Sequence, residues 1–194
     1  TRLFRIGGAH AVAALAYGTE SVPRVDKIVG PGNKWVAQAE AQVTSDCAID
    51  FYAGPTEIVV VAASGDARWV AADLIAQAEH DPDARAIFIT WKRAFAERVL
   101  TALTRRARGR DIVERSLRAH GAVVLVESAE AAMALVNTLA PEHLMVESAA
   151  LIRKPVVAGA VFVGPYTAQA AGDYATGSNH VLPTSGAARF RGGL

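Results

Sequence analysis

Largely apolar runs alternate with segments of helical spacing along most of the chain. Ile58 to Ala63, Ala86 to Thr90, Ala122 to Val126, Leu144 to Glu147 and Ala160 to Val163 read as strands. These runs are continuous rather than alternating, which is the pattern of parallel strands covered on both faces. Trp69 to Glu79, Arg93 to Arg106, Asp111 to His120 and Ala129 to Leu139 carry apolar residues at helical spacing between them. Upstream, Ala9 to Tyr17 reads as an Ala-rich helix after Gly7 and Gly8, and Val25 to Val29 as a strand that ends at Gly30, Pro31, Gly32 and Asn33. Asn33 can cap a following helix that presents Trp35, Val36, Ala39 and Val43. The expected fold is α/β, three-layered, with a mainly parallel sheet. Ile49 to Tyr52 leads into a second turn, Ala53, Gly54, Pro55, Thr56, Glu57, so a boundary is expected between residues 1–52 and 53–194. From Gly164 to Leu194 the chain is rich in Gly, Ala, Ser and Thr and reads mostly as loop. Such loops often hold sites.

Composition narrows the function. Of 194 residues 52% are hydrophobic, which excludes disorder for most of the chain. A chain of this length can remove roughly 70% of its extended surface from water without disulfides or a structural metal. The 20 basic residues nearly cancel the 19 acidic ones, so no field gathers nucleic acid or anionic lipid, and a small-molecule partner fits better. No apolar run approaches the ~20 residues of a spanning helix. Cys47 is the only cysteine and has no basic neighbour, so it reads as a bystander thiol, and the cytoplasm is the expected compartment. The chain starts at Thr1 without a leader-like apolar segment and stops after Arg191, Gly192, Gly193 and Leu194, so both ends are expected to be cut from something longer.

Gln77 and His80 place an amide oxygen and an imidazole three residues apart, about 5 Å at Cβ if both lie on one helix. Such a pair suits one zinc ion, and it equally suits a solvated helix end. Asp173 and His180 offer further ligand types in the Gly-rich segment. Pro141 forces the chain to turn at Ala140, setting Glu142 and His143 at a helix-to-strand turn. Adjacent carboxylate and imidazole groups can activate water and shuttle protons near neutral pH, and they also occur as plain surface pairs. Gly30, Pro31, Gly32 and Asn33 form a turn of the kind whose N–H groups meet polar ligands, but no G-x-G-x-x-G fingerprint is present. Arg105, Arg106, Arg108 and Arg110 lack interleaved aromatics and read as a solvated helix end. No G-x-S-x-G nucleophile turn occurs.

Taken together and in order, these blocks resemble the histidinol dehydrogenase family. The resemblance is carried by Gly7-Gly8-Ala9, Ala14 to Glu20, Val25 to Ile28, Gly30 to Asn33, Ala53 to Glu57, Gln77 to His80, Pro141 to Leu144, and Gly172-Asp173-Tyr174 through Asn179 to Thr184, and it spans essentially the whole chain. It implies incomplete Rossmann-like domains: residues 1–52 as the C-terminal part of an NAD-binding domain and 53–194 as the second part of a zinc- and substrate-binding domain. It implies a zinc-dependent oxidation of L-histidinol to L-histidine through histidinaldehyde, with two NAD used in sequence. By the same resemblance Gln77, His80 and Asp173 are zinc ligands, and together with Thr56 and His143 they contact substrate. Glu142 and His143 are the proton-handling pair, and His10 and Asn33 are cofactor-contacting positions.

The chain also departs from the family pattern. Thr56 stands where a substrate-binding serine is usual and keeps the hydroxyl. His10 stands where a glutamine is usual, and imidazole reproduces only part of an amide's donors and acceptors. Family members are longer, and their C-terminal tail is exchanged across a homodimer to bring the fourth zinc ligand, a histidine, and a substrate-contacting glutamate. The expectation is therefore a fragment with little activity alone. A paralogous zinc- and NAD-dependent alcohol dehydrogenase and a non-catalytic binding or assembly module are the alternatives.

Overall fold

The computed structural model describes every residue except 31, 51–53, 175–181 and 191–194, so Pro31, Phe51, Tyr52, Ala53 and His180 lie outside the described residues. The chain divides into two compact units, Thr1–Gly54 and Pro55–Leu194. No helix among the described residues is long and apolar enough to cross a membrane.

The first unit contains α1 (Gly8–Tyr17), β1 (Lys27–Ile28), α2 (Lys34–Val43) and β2 (Ala48–Ile49). β1 and β2 pair in parallel, and Val12, Ala16, Ile28, Val43 and Cys47 form the core beneath them. The strand expected over Val25 to Val29 shrinks to two residues because its partner among the described residues is equally short. Val25 N–H turns instead to the Leu15 carbonyl. Asn33 caps α2, its Oδ1 accepting from the Trp35 and Val36 N–H groups at 3.0 and 3.2 Å.

The second unit runs β3 (Glu57–Val61), α3 (Ala67–Ala78), β4 (Arg85–Thr90), α4 (Arg93–Ala107), α5 (Asp111–His120), β5 (Gly121–Leu125), α6 (Ala129–Leu139), β6 (His143–Val146), β7 (Ala160–Val163) and α7 (Ala171–Tyr174). Its five strands are all parallel in the order β5-β4-β3-β6-β7. Renumbered within the sheet this is 3-2-1-4-5, the doubly wound order whose direction reverses between β3 and β6. Side chains alternate along β3: Ile58 and Val60 pack with α3, α4 and α5, whereas Val59 and Val61 pack with α6. Both faces of the central strand are thus buried, which explains its unbroken apolar run. The three layers follow.

Ligands of such sheets usually bind beyond the carboxyl ends of the strands, where the order reverses. Here that position is filled from within. Glu147, just past β6, accepts from the Ala63 N–H, the Ser64 N–H and the Ser64 hydroxyl at 3.0, 2.9 and 2.9 Å. The residues with the richest chemistry gather at the opposite edge, where β3 and β6 begin.

Candidate active site

α6 stops at Leu139 because Ala140 takes a left-handed conformation (φ 49°, ψ 59°) before Pro141. That turn delivers Glu142 to the sheet edge and makes His143 the first residue of β6. Parallel pairing sets His143 beside Ile58 of β3 and Ala160 of β7. His143 lies two residues before Met145, which packs on the α3 side, and its ring is 6.0 Å from that of Phe162, which packs on the same side. α3 runs back along that face and carries Gln77 near its C-terminus. Gln77 is fully buried, and Glu142 and His143 are each 5% exposed.

A directional chain joins them. Gln77 Nε2 donates to Thr56 Oγ1 at 2.6 Å, and Thr56 Oγ1 donates to Glu142 Oε2 at 2.7 Å. The hydroxyl has one proton, committed to the carboxylate, so it must accept from the amide. Gln77 therefore turns its NH2 toward Thr56 and its oxygen away. The Glu57 N–H also donates to Glu142 Oε2, at 2.9 Å, and His143 Nδ1 lies 3.4 Å from the same oxygen.

The imidazole tautomer follows from its neighbours. His143 Nδ1 is 3.2 Å from the Glu57 carbonyl oxygen, which can only accept. These acceptors assign a proton to Nδ1, which leaves Nε2 as the nitrogen able to take a further one. Glu57 itself is buried, and burial pushes its carboxyl above the ordinary value, opposed by the Ser185 N–H and Arg85.

Gln77 offers an oxygen with which a divalent cation could be held at one end of this chain. Gln77 Oε1 is buried with no hydrogen-bond partner, one of two such side-chain atoms among the described residues; the other is Gln169 Oε1, in the turn before α7. An orphaned amide oxygen is costly unless something electropositive meets it. α3 and α6 both end at this edge, bringing the negative ends of two helix dipoles. Among the described residues no three His, Cys, Asp or Glu side chains are assembled around a point. Asp173 is the third residue of α7, and His180 is outside the described residues. His80 is not on α3 as expected from spacing: Pro82 keeps Asp81 out of helical geometry, Glu79 closes the helix, and His80 sits exposed in the turn, its N–H 3.3 Å from the Gln77 carbonyl. The structure thus brings Thr56, Gln77, Glu142 and His143 together, while His80 lies in the exposed turn just after the helix that carries Gln77.

His10 lies exposed on α1 and Asn33 at the start of α2, both in the first unit. Asn33 commits its oxygen to capping, so its NH2 is the group with which it can meet a cofactor. Sequence reasoning gave no role to Glu57, Ser185 or Gly159. A charged residue at the head of the run Glu57–Val61 was the available signal for the first of them.

The family model for histidinol dehydrogenase matches residues 1–194. The chain belongs to the histidinol dehydrogenase family. It is 52% identical over 196 residues to the histidinol dehydrogenase of Methylococcus capsulatus, covering 97% of this chain and 45% of that protein. With the Rhodospirillum rubrum histidinol dehydrogenase it shares 52% over 200 residues, covering 99% of this chain and 46% of that one. The solved histidinol dehydrogenase of Elizabethkingia anophelis superposes with a TM-score of 0.91 at 36% identity, over 97% of this chain and 45% of that one. The chain therefore spans about half the length of these histidinol dehydrogenases. A gamma-glutamyl phosphate reductase from Thermotoga maritima shares the fold at 13% identity and a TM-score of 0.54.

Proposed function

We propose that these residues belong to a zinc-dependent, NAD-linked dehydrogenase that oxidises L-histidinol to L-histidine through histidinaldehyde, the last step of histidine biosynthesis. The observation that carries the reading is the directional chain from Gln77 through Thr56 to Glu142, with His143 beside it and an orphaned amide oxygen at its far end.

Gln77, His80 and Asp173 would hold zinc, which when bound supplies a fixed positive charge that orients the substrate's amine and imidazole. His10 and Asn33, in the first unit, would contact NAD, which accepts one hydride in each of two oxidations. Thr56 sits between Gln77 and Glu142, and its hydroxyl would contact substrate through its remaining lone pair. His143 Nε2 takes the alcohol proton as the first hydride leaves carbon. Glu142 then draws a proton from the water that adds to the aldehyde, while His143 returns its proton to the carbonyl oxygen. A second deprotonation by His143 accompanies loss of the second hydride. One histidinol, one water and two NAD+ would thus yield one carboxylate, two NADH and three protons. Three protein ligands leave a fourth zinc position to be filled, in keeping with a homodimer in which the partner completes the site.

The complete gene product, assayed with zinc, NAD and histidinol, should form two NADH per histidinol and prefer histidinol to simple amino or sulfonated alcohols in kcat/KM. Residues 1–194 alone should turn over far below ~1 per second, slow for an enzyme. Preference for another alcohol would instead establish a paralogous dehydrogenase. Failure to reduce NAD with any alcohol would leave a binding or assembly module.

A further inference from the structure

Glu57 touches both members of the acid–base pair through its backbone and a separate chain segment through its side chain. Its N–H donates to Glu142 Oε2, and its carbonyl accepts from His143 Nδ1. Its side-chain Oε1 accepts from the Ser185 N–H at 2.9 Å, across 128 residues of sequence. Oε2 lies 3.6 Å from Arg85 Nη1, its neighbour in the β3–β4 register.

The other end of that contact is held under strain. Ser185 has φ 53°, one of two non-glycine residues with positive φ among those described, and Gly186 follows at 79°. A left-handed serine persists only where its surroundings fix it. A Cβ at Gly159 would stand 2.6 Å from the Glu142 carbonyl oxygen, 3.1 Å from Pro183 Cδ and 3.3 Å from Leu182 Cβ. The bare Gly159 thus leaves space that the Glu142 backbone and the side chains of Leu182 and Pro183 approach together. Leu182 and Thr184 are buried there, 7% and 4% exposed. Residues 182–185 are therefore seated from one side by the bare backbone of Gly159 and tied from the other by Glu57.

We propose that Glu57 is a positioning residue: its side chain latches the Leu182–Ser185 segment over the edge while its backbone aims Glu142 and His143, so that displacing the latch misdirects the pair. This rests on the dehydrogenase reading for its kinetic consequence, but not for its structural one. The acceptor matters rather than the charge, because a neutral amide oxygen can take the Ser185 N–H equally well. Glutamine should replace Glu57, and a shorter or absent side chain should not.

The test uses the complete gene product with Glu57→Gln, Glu57→Asp and Glu57→Ala. Amide hydrogen exchange in a peptide spanning residues 182–186 should be slow in the parent and E57Q, and fast in E57D and E57A. The Nδ1–H tautomer of His143, read by nitrogen NMR of labelled histidine, should persist in E57Q and become mixed in E57A. Turnover of histidinol should fall about 10- to 100-fold in E57A and E57D with KM and zinc content little changed, and recover in E57Q. Should E57A not fold, E57D carries the same comparison. Equal impairment of E57Q and E57A would overturn the latch, as would unaltered exchange in E57D. A parent protein that oxidises no histidinol would sink the dehydrogenase reading while leaving the exchange and tautomer results to decide on Glu57.

Discussion

His143 Nδ1 faces the carbonyl oxygen of Glu57 at 3.2 Å, a contact that favours the tautomer with its proton on Nδ1. That tautomer leaves Nε2 as the nitrogen able to take a proton, with the Glu57 backbone and the Glu142 carboxylate both beside Nδ1.

The first prediction concerns the pair itself. In the complete gene product His143→Asn and Glu142→Gln should each lower kcat by about 10²- to 10⁴-fold, the usual worth of a positioned proton carrier. Zinc content, measured by atomic absorption, should stay at the parent level. Loss of metal from either variant would show a ligand where a proton carrier is argued.

Thr56 carries the second. Thr56→Val keeps the shape but removes both an acceptor for Gln77 Nε2 and a donor to Glu142 Oε2. Two buried polar groups then lose a partner, at about 1–3 kcal/mol for such a site. Thr56→Ser should restore most of it, since the hydroxyl is what both neighbours use. Urea titration of the three proteins gives the comparison; equal midpoints for Thr and Val would refute the chain.

Much of the second unit was legible in the apolar pattern. α5 (Asp111–His120), α6 (Ala129–Leu139) and β7 (Ala160–Val163) fall where periodicity places them, residue for residue. Four other strands begin one residue before their apolar run, at Glu57, Arg85, Gly121 and His143. Hydrophobicity marks only the covered part of a strand, whereas the ladder continues into the polar residue at the edge. The candidate site lies at that edge, so the pattern under-reads it. Adjacency made Glu142 and His143 visible as a pair. The bridge through Thr56 was not visible, because it depends on β3 and β6 pairing across 86 residues of chain. His80 was misplaced on α3 because the spacing rule took no account of Pro82 ending the helix.

Glu147 supports a third prediction. Its carboxylate occupies the position where a doubly wound sheet commonly takes a phosphate, using two backbone N–H groups and one hydroxyl. Glu147→Ala should cost about 2–3 kcal/mol, as bonds to a charged acceptor are lost together. Glu147→Gln should cost less, since one acceptor oxygen remains. If thermal or urea unfolding is indifferent to both changes, the carboxylate does not hold the β3–α3 turn.

Asp73 gives the last, and its sign is opposite to that of most carboxylates. It is partly buried on α3, and burial pushes it up to about 6 from an ordinary 3.8. The folded state thus binds this proton more tightly than the unfolded one. The associated stability is fully present below 3.8, and it is lost as pH rises through about 6. At pH 8 the parent carries a partly desolvated charge that Asp73→Asn lacks. The variant should then be more stable by about 1–2 kcal/mol, allowing for the share of the group that water still screens. Near pH 4 the two should converge. Denaturant midpoints for both proteins across this range decide the matter, and a gap that stays constant with pH would mean that Asp73 is ionised in folded and unfolded chains alike.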